Sequence, residues 1–183
     1  MKSEQQLLKL SKFLSTVLRH KPERIGIVLD AQGWTPVEDL LLRANAAGVE
    51  LDRAALEEVI AWNNKQRFAL DESGTRIRAS QGHSVPVSLG YAPQKPPDTL
   101  YHGTSRAAAD SILRSGIEKR RRHQVHLSRD EATAISVGRR HGPPVVLAVD
   151  AARMHADGYL FYCSANGVWL TDAVPAAYVR IAE

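Results

Sequence analysis

The sequence predicts an α+β protein built from two lobes and an extended connection. Apolar residues recur at three-and-four spacing in the first third of the chain, which is typical of amphipathic helices. Short apolar runs bounded by turn residues dominate the second half and predict strands between further helices. Four of the nine prolines lie between Val85 and Asp98, where they favour an extended segment. We therefore expect lobes over 1–84 and 99–183, joined by residues 85–98.

The first helix is predicted from the apolar spacing between Leu7 and Leu18. Pro22 limits this helix downstream, because a proline cannot continue the helical hydrogen-bond pattern. Arg19 and His20 therefore lie at or near its C-terminus.

Two more helices and a hairpin complete the first lobe. Thr35-Pro36-Val37-Glu38 has the pattern of an N-cap, a first-turn proline and a capping-box glutamate, so it predicts a helix that Gly48 closes. Asp52 is expected to cap the third helix. Strands over Arg67–Leu70 and Thr75–Arg78 then flank a turn. Three helices followed by a hairpin indicate a winged-helix-like lobe.

The second lobe mixes strands and helices. A strand over Thr99–Tyr101 places Tyr101-His102-Gly103-Thr104 at the strand end, before a helix over Arg106–Arg114. Ser128 and Glu131 have capping-box spacing for a second helix. Further strands are predicted over Val125–Leu127, Val145–Val149, Tyr159–Tyr162, Val168–Leu170 and Val179–Ile181.

Composition limits the classes of protein to consider. The 183 residues carry a net charge of +4 and a single cysteine, Cys163, so no internal disulfide can form. No zinc or metalloprotease motif is present, and no metal is expected. No run approaches the roughly 18 apolar residues of a membrane helix, and the polar start lacks a secretory signal pattern. A cytoplasmic monomer is expected.

Basic residues occur in clusters, and clustering is what phosphate contacts require. The groups are Lys119–Arg122, Arg139–His141, and Arg76 with Arg78. Each group alone is often just a solvated face. Together they favour a partner that carries phosphate.

The candidate site residues each have a plain structural explanation as well. Arg19 and His20 suit the negative end of a helix dipole, which is their structural explanation. An arginine can also bind a phosphate through two N–H groups, and a histidine can supply a proton near neutral pH. Gly103 would let a ligand approach the backbone beside His102, although an ordinary turn has the same pattern. No Gly-x-Gly-x-x-Gly or Gly-x-x-x-x-Gly-Lys loop is present, so a dinucleotide would bind outside the Rossmann scheme.

Seven short motifs extend over nearly the whole chain. They are Leu10–Ser15 with Leu18-Arg19-His20, Gly33-Trp34, Lys65–Phe68, Ile77–Ser84, Leu100–Thr104, Val125–Ser128 and Arg140–Gly142. Their order and spacing resemble the RNA 2'-phosphotransferase family, enzymes that use NAD to remove an internal 2'-phosphate from RNA, notably one left by tRNA splicing. The resemblance implies a winged-helix-like first lobe and a second lobe of the ADP-ribosyltransferase fold that holds NAD.

The resemblance also implies roles for particular residues. The catalytic group would be Arg19, His20, Arg67 and Arg122, and no metal would be required. The residues implied around NAD are His102, Gly103, Thr104, His126, Ser128, Arg140 and His141.

Some positions depart from the family pattern. Gln124 stands where the family usually has a histidine, and Ser80 where it commonly has an asparagine. Because Arg120 and Arg121 adjoin Arg122, the register of the fourth catalytic residue stays open. The glutamate that many ADP-ribosyltransferases use is absent from residues 167–171, which a phosphate nucleophile would tolerate.

The implied reaction has two steps. In the first step the 2'-phosphate attacks the nicotinamide ribose and expels nicotinamide, which gives an ADP-ribosylated RNA phosphate. In the second step the ribose 2''-hydroxyl attacks phosphorus, which releases the RNA 2'-hydroxyl and ADP-ribose 1'',2''-cyclic phosphate. His20 would be the general acid for the departing oxygen. One alternative is an ADP-ribosyltransferase that modifies terminal phosphates of RNA or DNA. Another is a non-catalytic winged-helix RNA-binding protein.

Overall fold

Six α-helices and eleven short strands make up the computed structural model, which describes all 183 residues. Helices and strands are interspersed, and the strands form four small sheets in which every named pair is antiparallel. The predicted α+β class is confirmed at this level. The contacts divide the chain into unit 1 (Met1–Gly90) and unit 2 (Tyr91–Glu183), each with a hydrophobic core of its own.

Unit 1 contains three helices and one three-stranded sheet. Its helices are α1 (Glu4–Arg19), α2 (Val37–Ala46) and α3 (Arg53–Trp62), and its strands are β1 (Thr35–Pro36), β2 (Phe68–Leu70) and β3 (Arg76–Ala79). The strand order is β1-β3-β2. The predicted hairpin is confirmed to within one residue, with Phe68 opposite Ala79.

Local signals account for the starts of α1 and α3. Ser3 and Gln6 form a capping box at the start of α1, and Leu7 and Leu14 are among the residues that this helix buries. The predicted cap of α3 is confirmed, because the Asp52 carboxylate accepts from the Ala55 backbone N–H at 2.7 Å. Each cap satisfies a backbone donor that the first helical turn leaves without an internal partner.

The predicted capping role of Thr35 is wrong. Thr35 and Pro36 form β1, which pairs with Ile77 and Arg76 of β3, and the N-cap of α2 is Pro36 without any side-chain hydrogen bond. The Thr35 hydroxyl is buried and makes no hydrogen bond within the protein. Pairing with a strand about forty residues later in the sequence therefore overrides a local capping pattern.

Unit 2 contains three helices and three small sheets. The helices are α4 (Arg106–Ser115), α5 (Glu131–Gly138) and α6 (Ala151–Ala156). The strands are β4 (Thr99–Ser105), β5 (Ile117–Glu118), β6 (Val125–Leu127), β7 (Pro144–Asp150), β8 (Tyr162–Cys163), β9 (Trp169–Thr171), β10 (Ala173–Val174) and β11 (Val179–Ile181). The sheet orders are β11-β7-β4, β6-β9-β8 and β10-β5. Helix α6 and strands β5 and β10 were not expected from the sequence. The predicted strand over Tyr159–Tyr162 is wrong for its first three residues, because β8 begins at Tyr162.

The segment His102-Gly103-Thr104 lies inside β4 rather than in a turn after it, contrary to the prediction. Gly103 pairs with Val146 of β7, and the ladder continues to Ser105. A Cβ on Gly103 would lie 1.7 Å from the carbonyl oxygen of Ala134 in α5. The glycine is therefore required for the close approach of this helix to the strand.

The predicted capping role of Ser128 is also wrong. Asp130 caps α5 and accepts from the Thr133 backbone N–H at 2.8 Å. Ser128 instead forms a β-bridge, donating its N–H to the Tyr101 carbonyl at 2.7 Å and accepting from the Tyr101 N–H at 2.8 Å. A better-placed carboxylate two residues later supplies the cap, because a β-bridge fixes the Ser128 backbone.

None of the six helices combines the length and the apolar character needed to cross a membrane.

Candidate active site

Arg19 and His20 lie together at the C-terminus of α1. Arg19 is the last helical residue, and His20 is the C-cap, whose N–H donates to the Thr16 carbonyl at 3.0 Å. Positive side chains are favoured here because the last helical carbonyls carry partial negative charge. His20 is exposed, and Arg19 is half-buried.

A loop over residues 80–85, which we call the return loop, follows β3 and contacts the end of α1. The Ser84 N–H donates to the Arg19 carbonyl at 2.8 Å, and the Ser84 hydroxyl lies 2.9 Å from Nδ1 of His20. In the sequence, Ser84 stands out only as the last residue of the motif Ile77–Ser84. Because Ser84 lies 64 residues beyond His20, no local spacing could have revealed the contact.

Arg67 follows α3 in a segment that is held at several points. Asn63, which is 4% exposed, accepts from the Lys65 N–H at 3.2 Å and from Nη1 of Arg67 at 3.5 Å. The Asn63 amide donates to the Ser11 hydroxyl of α1 at 3.2 Å. The segment that carries Arg67 is therefore tied to the same helix that carries Arg19 and His20.

Ser80 holds the other side of this segment. Its hydroxyl donates to the Gln66 carbonyl at 2.8 Å, and its N–H donates to the Arg67 carbonyl at 2.9 Å. Gln66 has a φ of +42°, which is unusual for a residue with a side chain. The position where Ser80 departs from the family pattern is thus a buried structural contact to the backbone beside Arg67.

Arg122 and His126 are in direct contact in unit 2. Nη1 of Arg122 lies 3.0 Å from Nδ1 of His126. A guanidinium only donates, so in this contact Nδ1 of His126 accepts and Nε2 is the ring nitrogen that carries a proton. Arg122, the fourth candidate catalytic residue, thus contacts a histidine that the resemblance places around NAD.

His102 joins this group through the backbone of β6. Nδ1 of His102 lies 3.3 Å from the His126 carbonyl. Since the carbonyl accepts, Nδ1 carries the proton, and in the neutral ring Nε2 is an acceptor. Burial lowers the pKa of His102, and the charges of Arg122, Arg120 and His141 lower it further, against the opposing hydrogen bond to His126.

Positive charges surround these two histidines. Burial lowers the pKa of the Arg122 guanidinium, and the nearby charge of Arg140 adds to the effect. We call Arg120, Arg122, Arg140 and His141 the cationic cluster. All the charged neighbours that shift the pKa values of His102 and Arg122 are cationic. Such mutual repulsion is relieved by a bound anion.

The remaining candidates have defined places in unit 2. Thr104 is buried in β4, and Gly103 faces α5. Ser128, through its bridge to Tyr101, connects the end of β6 to β4. Arg140 and His141 are exposed in a short 3-10 helix, Arg139–His141.

The structure thus joins the candidates into one group within each unit. Arg19, His20 and Arg67 share contacts around α1 in unit 1, whereas Arg122, His126 and His102 form a chain of contacts in unit 2. No set of three or more histidine, cysteine, aspartate or glutamate side chains is arranged to hold a metal ion. The groups present suit phosphate binding by guanidinium and proton transfer by imidazole.

Comparison with known proteins gives consistent results. The sequence profile of the family described as "RNA 2'-phosphotransferase, Tpt1 / KptA family" matches residues 5–173. A protein of Agrobacterium fabrum named "Probable RNA 2'-phosphotransferase" is 58% identical over 171 residues, which cover 93% of this chain and 92% of that protein. Proteins of the same name from Nostoc punctiforme and Rhodopirellula baltica are each 52% identical, over 97% and 98% of this chain and 98% of each relative.

Proposed function

Because the chain belongs to the RNA 2'-phosphotransferase, Tpt1 / KptA family, we propose that it transfers an internal RNA 2'-phosphate to the ADP-ribose part of NAD. The products are RNA with a 2'-hydroxyl, ADP-ribose 1'',2''-cyclic phosphate and nicotinamide. The observation that carries the proposal is the cationic cluster, in which the charged neighbours of His102 and Arg122 are all positive. Clustered cations are what a substrate rich in phosphate requires.

The donors and acceptors of unit 2 fit a dinucleotide. His126 offers an N–H at Nε2 and neutral His102 offers an acceptor at Nε2, a pair that suits ribose hydroxyl groups. Arg140 and His141 supply positive charge for a pyrophosphate. In the proposal Gly103, Thr104 and Ser128 complete this NAD site through their positions on and beside β4. NAD, when bound, supplies the ADP-ribose acceptor by losing nicotinamide, with an ADP-ribosylated RNA phosphate between the two steps.

Arginine side chains hold the phosphate in this proposal. Arg19, Arg67 and Arg122 bind its oxygens as forks and stabilise the charge that is transferred. No strong base is needed for the attack, because a phosphate monoester already carries roughly −1.5 to −2 charges at neutral pH. The arginines therefore act by positioning and electrostatic stabilisation.

His20 acts as the general acid. When the bond between phosphorus and the RNA 2'-oxygen breaks, His20 donates a proton to that oxygen, so that RNA leaves with a 2'-hydroxyl. The exposed position of His20 at the end of α1 supports this role, since a large RNA substrate must reach it.

The two parts of the chain have different assignments in the proposal. Residues 1–84 form a winged-helix-like lobe that binds the RNA phosphate, residues 85–98 connect the lobes, and residues 99–183 form an ADP-ribosyltransferase-like lobe that binds NAD. The three helices and hairpin of unit 1 support the first assignment. The substrate is a tRNA-like RNA from splicing or repair, and the enzyme works as a cytoplasmic monomer.

The proposal is tested by incubating the protein with NAD and a synthetic RNA that has one internal 2'-phosphate. Chromatography and mass spectrometry should detect nicotinamide, ADP-ribose 1'',2''-cyclic phosphate and RNA that is lighter by one phosphate. Accumulation of an ADP-ribosylated nucleic acid alone would instead support the ADP-ribosyltransferase of terminal phosphates. RNA binding without any nicotinamide release would support the non-catalytic RNA-binding protein.

A matched pair of variants tests the role of Arg122. Arg122→Lys keeps the charge but loses the fork and the contact to His126, so turnover should fall about 100-fold or more. Arg121→Lys, at the adjacent exposed position, should change turnover by less than about threefold. Equal effects of the two substitutions would show that Arg122 has no special role.

A further inference from the structure

The return loop fixes the end of α1 through Ser84. Its N–H donates to the Arg19 carbonyl at 2.8 Å, and the Val85 N–H lies 3.4 Å from the same oxygen. The last carbonyls of a helix have no partner within the helix, so these bonds satisfy one of them. One residue thereby holds the backbone of Arg19 and, at 2.9 Å from Nδ1, the ring of His20.

The return loop has structural features that keep Ser84 in place. Gly82 adopts a φ of +88°, a conformation that favours glycine. His83 is 2% exposed, so the residue beside Ser84 is anchored in the interior. Nε2 of His83 lies 3.2 Å from the position that a Cβ on Gly33 would take, so the His83 ring packs closely against this glycine. The hydroxyl of Ser84 is therefore presented from a fixed backbone.

A serine hydroxyl is suited to contact a histidine whose protonation changes. It donates to Nδ1 when that nitrogen carries no proton, and it accepts from Nδ1 when that nitrogen is protonated. A carboxylate would only accept and an ammonium would only donate, so either would favour one state of the ring. The contact between Ser84 and His20 can persist before and after proton transfer.

We propose that Ser84 is a positioning residue, which holds Nδ1 of His20 and thereby makes Nε2 the atom that delivers the proton to the departing RNA oxygen. This inference rests on the proposed function, in which His20 is the general acid. In this step the ribose 2''-oxygen forms a bond to phosphorus and its hydroxyl proton passes to solvent. The bond between phosphorus and the RNA O2' breaks, O2' takes the proton of His20 Nε2–H, and Nε2 keeps the electron pair of that N–H bond. Ser84 exchanges no proton with the substrate; it sets the rotation of the ring about its bond to Cβ.

The proposal predicts an effect on one chemical step. Ser84→Ala should slow release of RNA with a 2'-hydroxyl by about 10- to 100-fold, because a misplaced acid loses much of its contribution. Release of nicotinamide in the first turnover should change by less than about threefold, since the first step needs no acid. The ADP-ribosylated RNA should therefore accumulate in this variant, and Ser84→Thr, which keeps the hydroxyl, should restore the second step.

Rapid-quench measurements on the full-length protein with NAD and RNA bearing one 2'-phosphate resolve the two steps. Ser88→Ala is the matched control, because Ser88 is an exposed serine a few residues later whose backbone N–H bonds to Ala31. It should leave both steps unchanged. Thermal unfolding of each variant shows whether the fold is kept.

Two results would overturn the inference. Equal slowing of both steps in Ser84→Ala would indicate a purely structural role, and an undiminished second step would indicate no role. In a background of His20→Ala, the loss of Ser84 should add nothing, and an independent further loss would contradict action through His20. Failure of the proposed function is a separate result, in which the unaltered protein releases no nicotinamide or forms no cyclic phosphate.

Discussion

The contact between α5 and β4 at Gly103 gives a sharp prediction for stability. A Cβ on this residue would lie 1.7 Å from the carbonyl oxygen of Ala134 and 2.9 Å from the backbone nitrogen of Gly138. Real Cβ contacts are essentially never shorter than 3.0 Å, so α5 would have to move away by at least 1.3 Å. Both clashing groups are backbone, and neither can rotate aside.

The magnitude follows from these distances. Overpacking of a well-packed interior costs about 1–3 kcal/mol when side chains can adjust. Gly103→Ala should lie at or above the upper end of that range, about 3 kcal/mol or more, because a whole helix must shift. For a chain of this size that corresponds to a fall of about 6–12 °C in Tm. Thermal unfolding followed by circular dichroism measures this change on the full chain.

Gly158→Ala is the matched control in the same unit. Gly158 has a φ of +97°, and no heavy atom lies within 4 Å of its Cβ position. That substitution should therefore cost only backbone strain, about 1–2 kcal/mol. If Gly103→Ala unfolded at the same temperature as Gly158→Ala or higher, the close approach of α5 to β4 would be refuted.

The other predictions concern a cap and a buried histidine. Asp130→Ala should lower the free energy of unfolding by about 1 kcal/mol, because it removes the acceptor of the Thr133 N–H. Ser128→Ala should lower it by less. Urea unfolding of both variants measures the two free energies. Burial lowers the pKa of His102, so below its ordinary value of about 6.5 the unfolded chain takes a proton that the folded chain does not. The free energy of unfolding should therefore fall as the pH drops below about 6.5. His102→Asn should make this fall smaller, because its amide can still donate to the His126 carbonyl but takes up no proton. Thermal melts at pH 7.5 and 5.5 measure the difference. A larger loss of stability in Ser128→Ala than in Asp130→Ala would contradict the assignment of the cap. An unchanged pH dependence of stability in His102→Asn would contradict the assignment of the buried histidine.

Elements with strong local signals were predicted well from the sequence. The apolar spacing that ends near Leu18 gave α1, the carboxylate of Asp52 gave the start of α3, and the turn before Thr75 gave the hairpin. Each of these signals acts within a few residues. The information that sets the structure is therefore contained in the segment itself.

Predictions failed where a distant segment competed with a local pattern. Thr35 has the sequence of a cap, yet pairing with Ile77 places it in a strand. Ser128 has capping-box spacing, yet its bridge to Tyr101 leaves the cap to Asp130. In both cases backbone hydrogen bonds to a remote strand outweigh one side-chain hydrogen bond.

Residue types and their order by themselves determined the family of this protein. Guanidinium and imidazole groups occur in an ordered set of motifs, and the family is confirmed over residues 5–173. Tertiary structure alone decided which atoms meet. Ser84 reaches His20, Asn63 reaches Ser11 and Arg67, and Arg122 reaches His126. The reason is physical, because the kinds of bonds that a side chain can form follow from its composition, whereas its partners depend on how chain segments distant in sequence pack together.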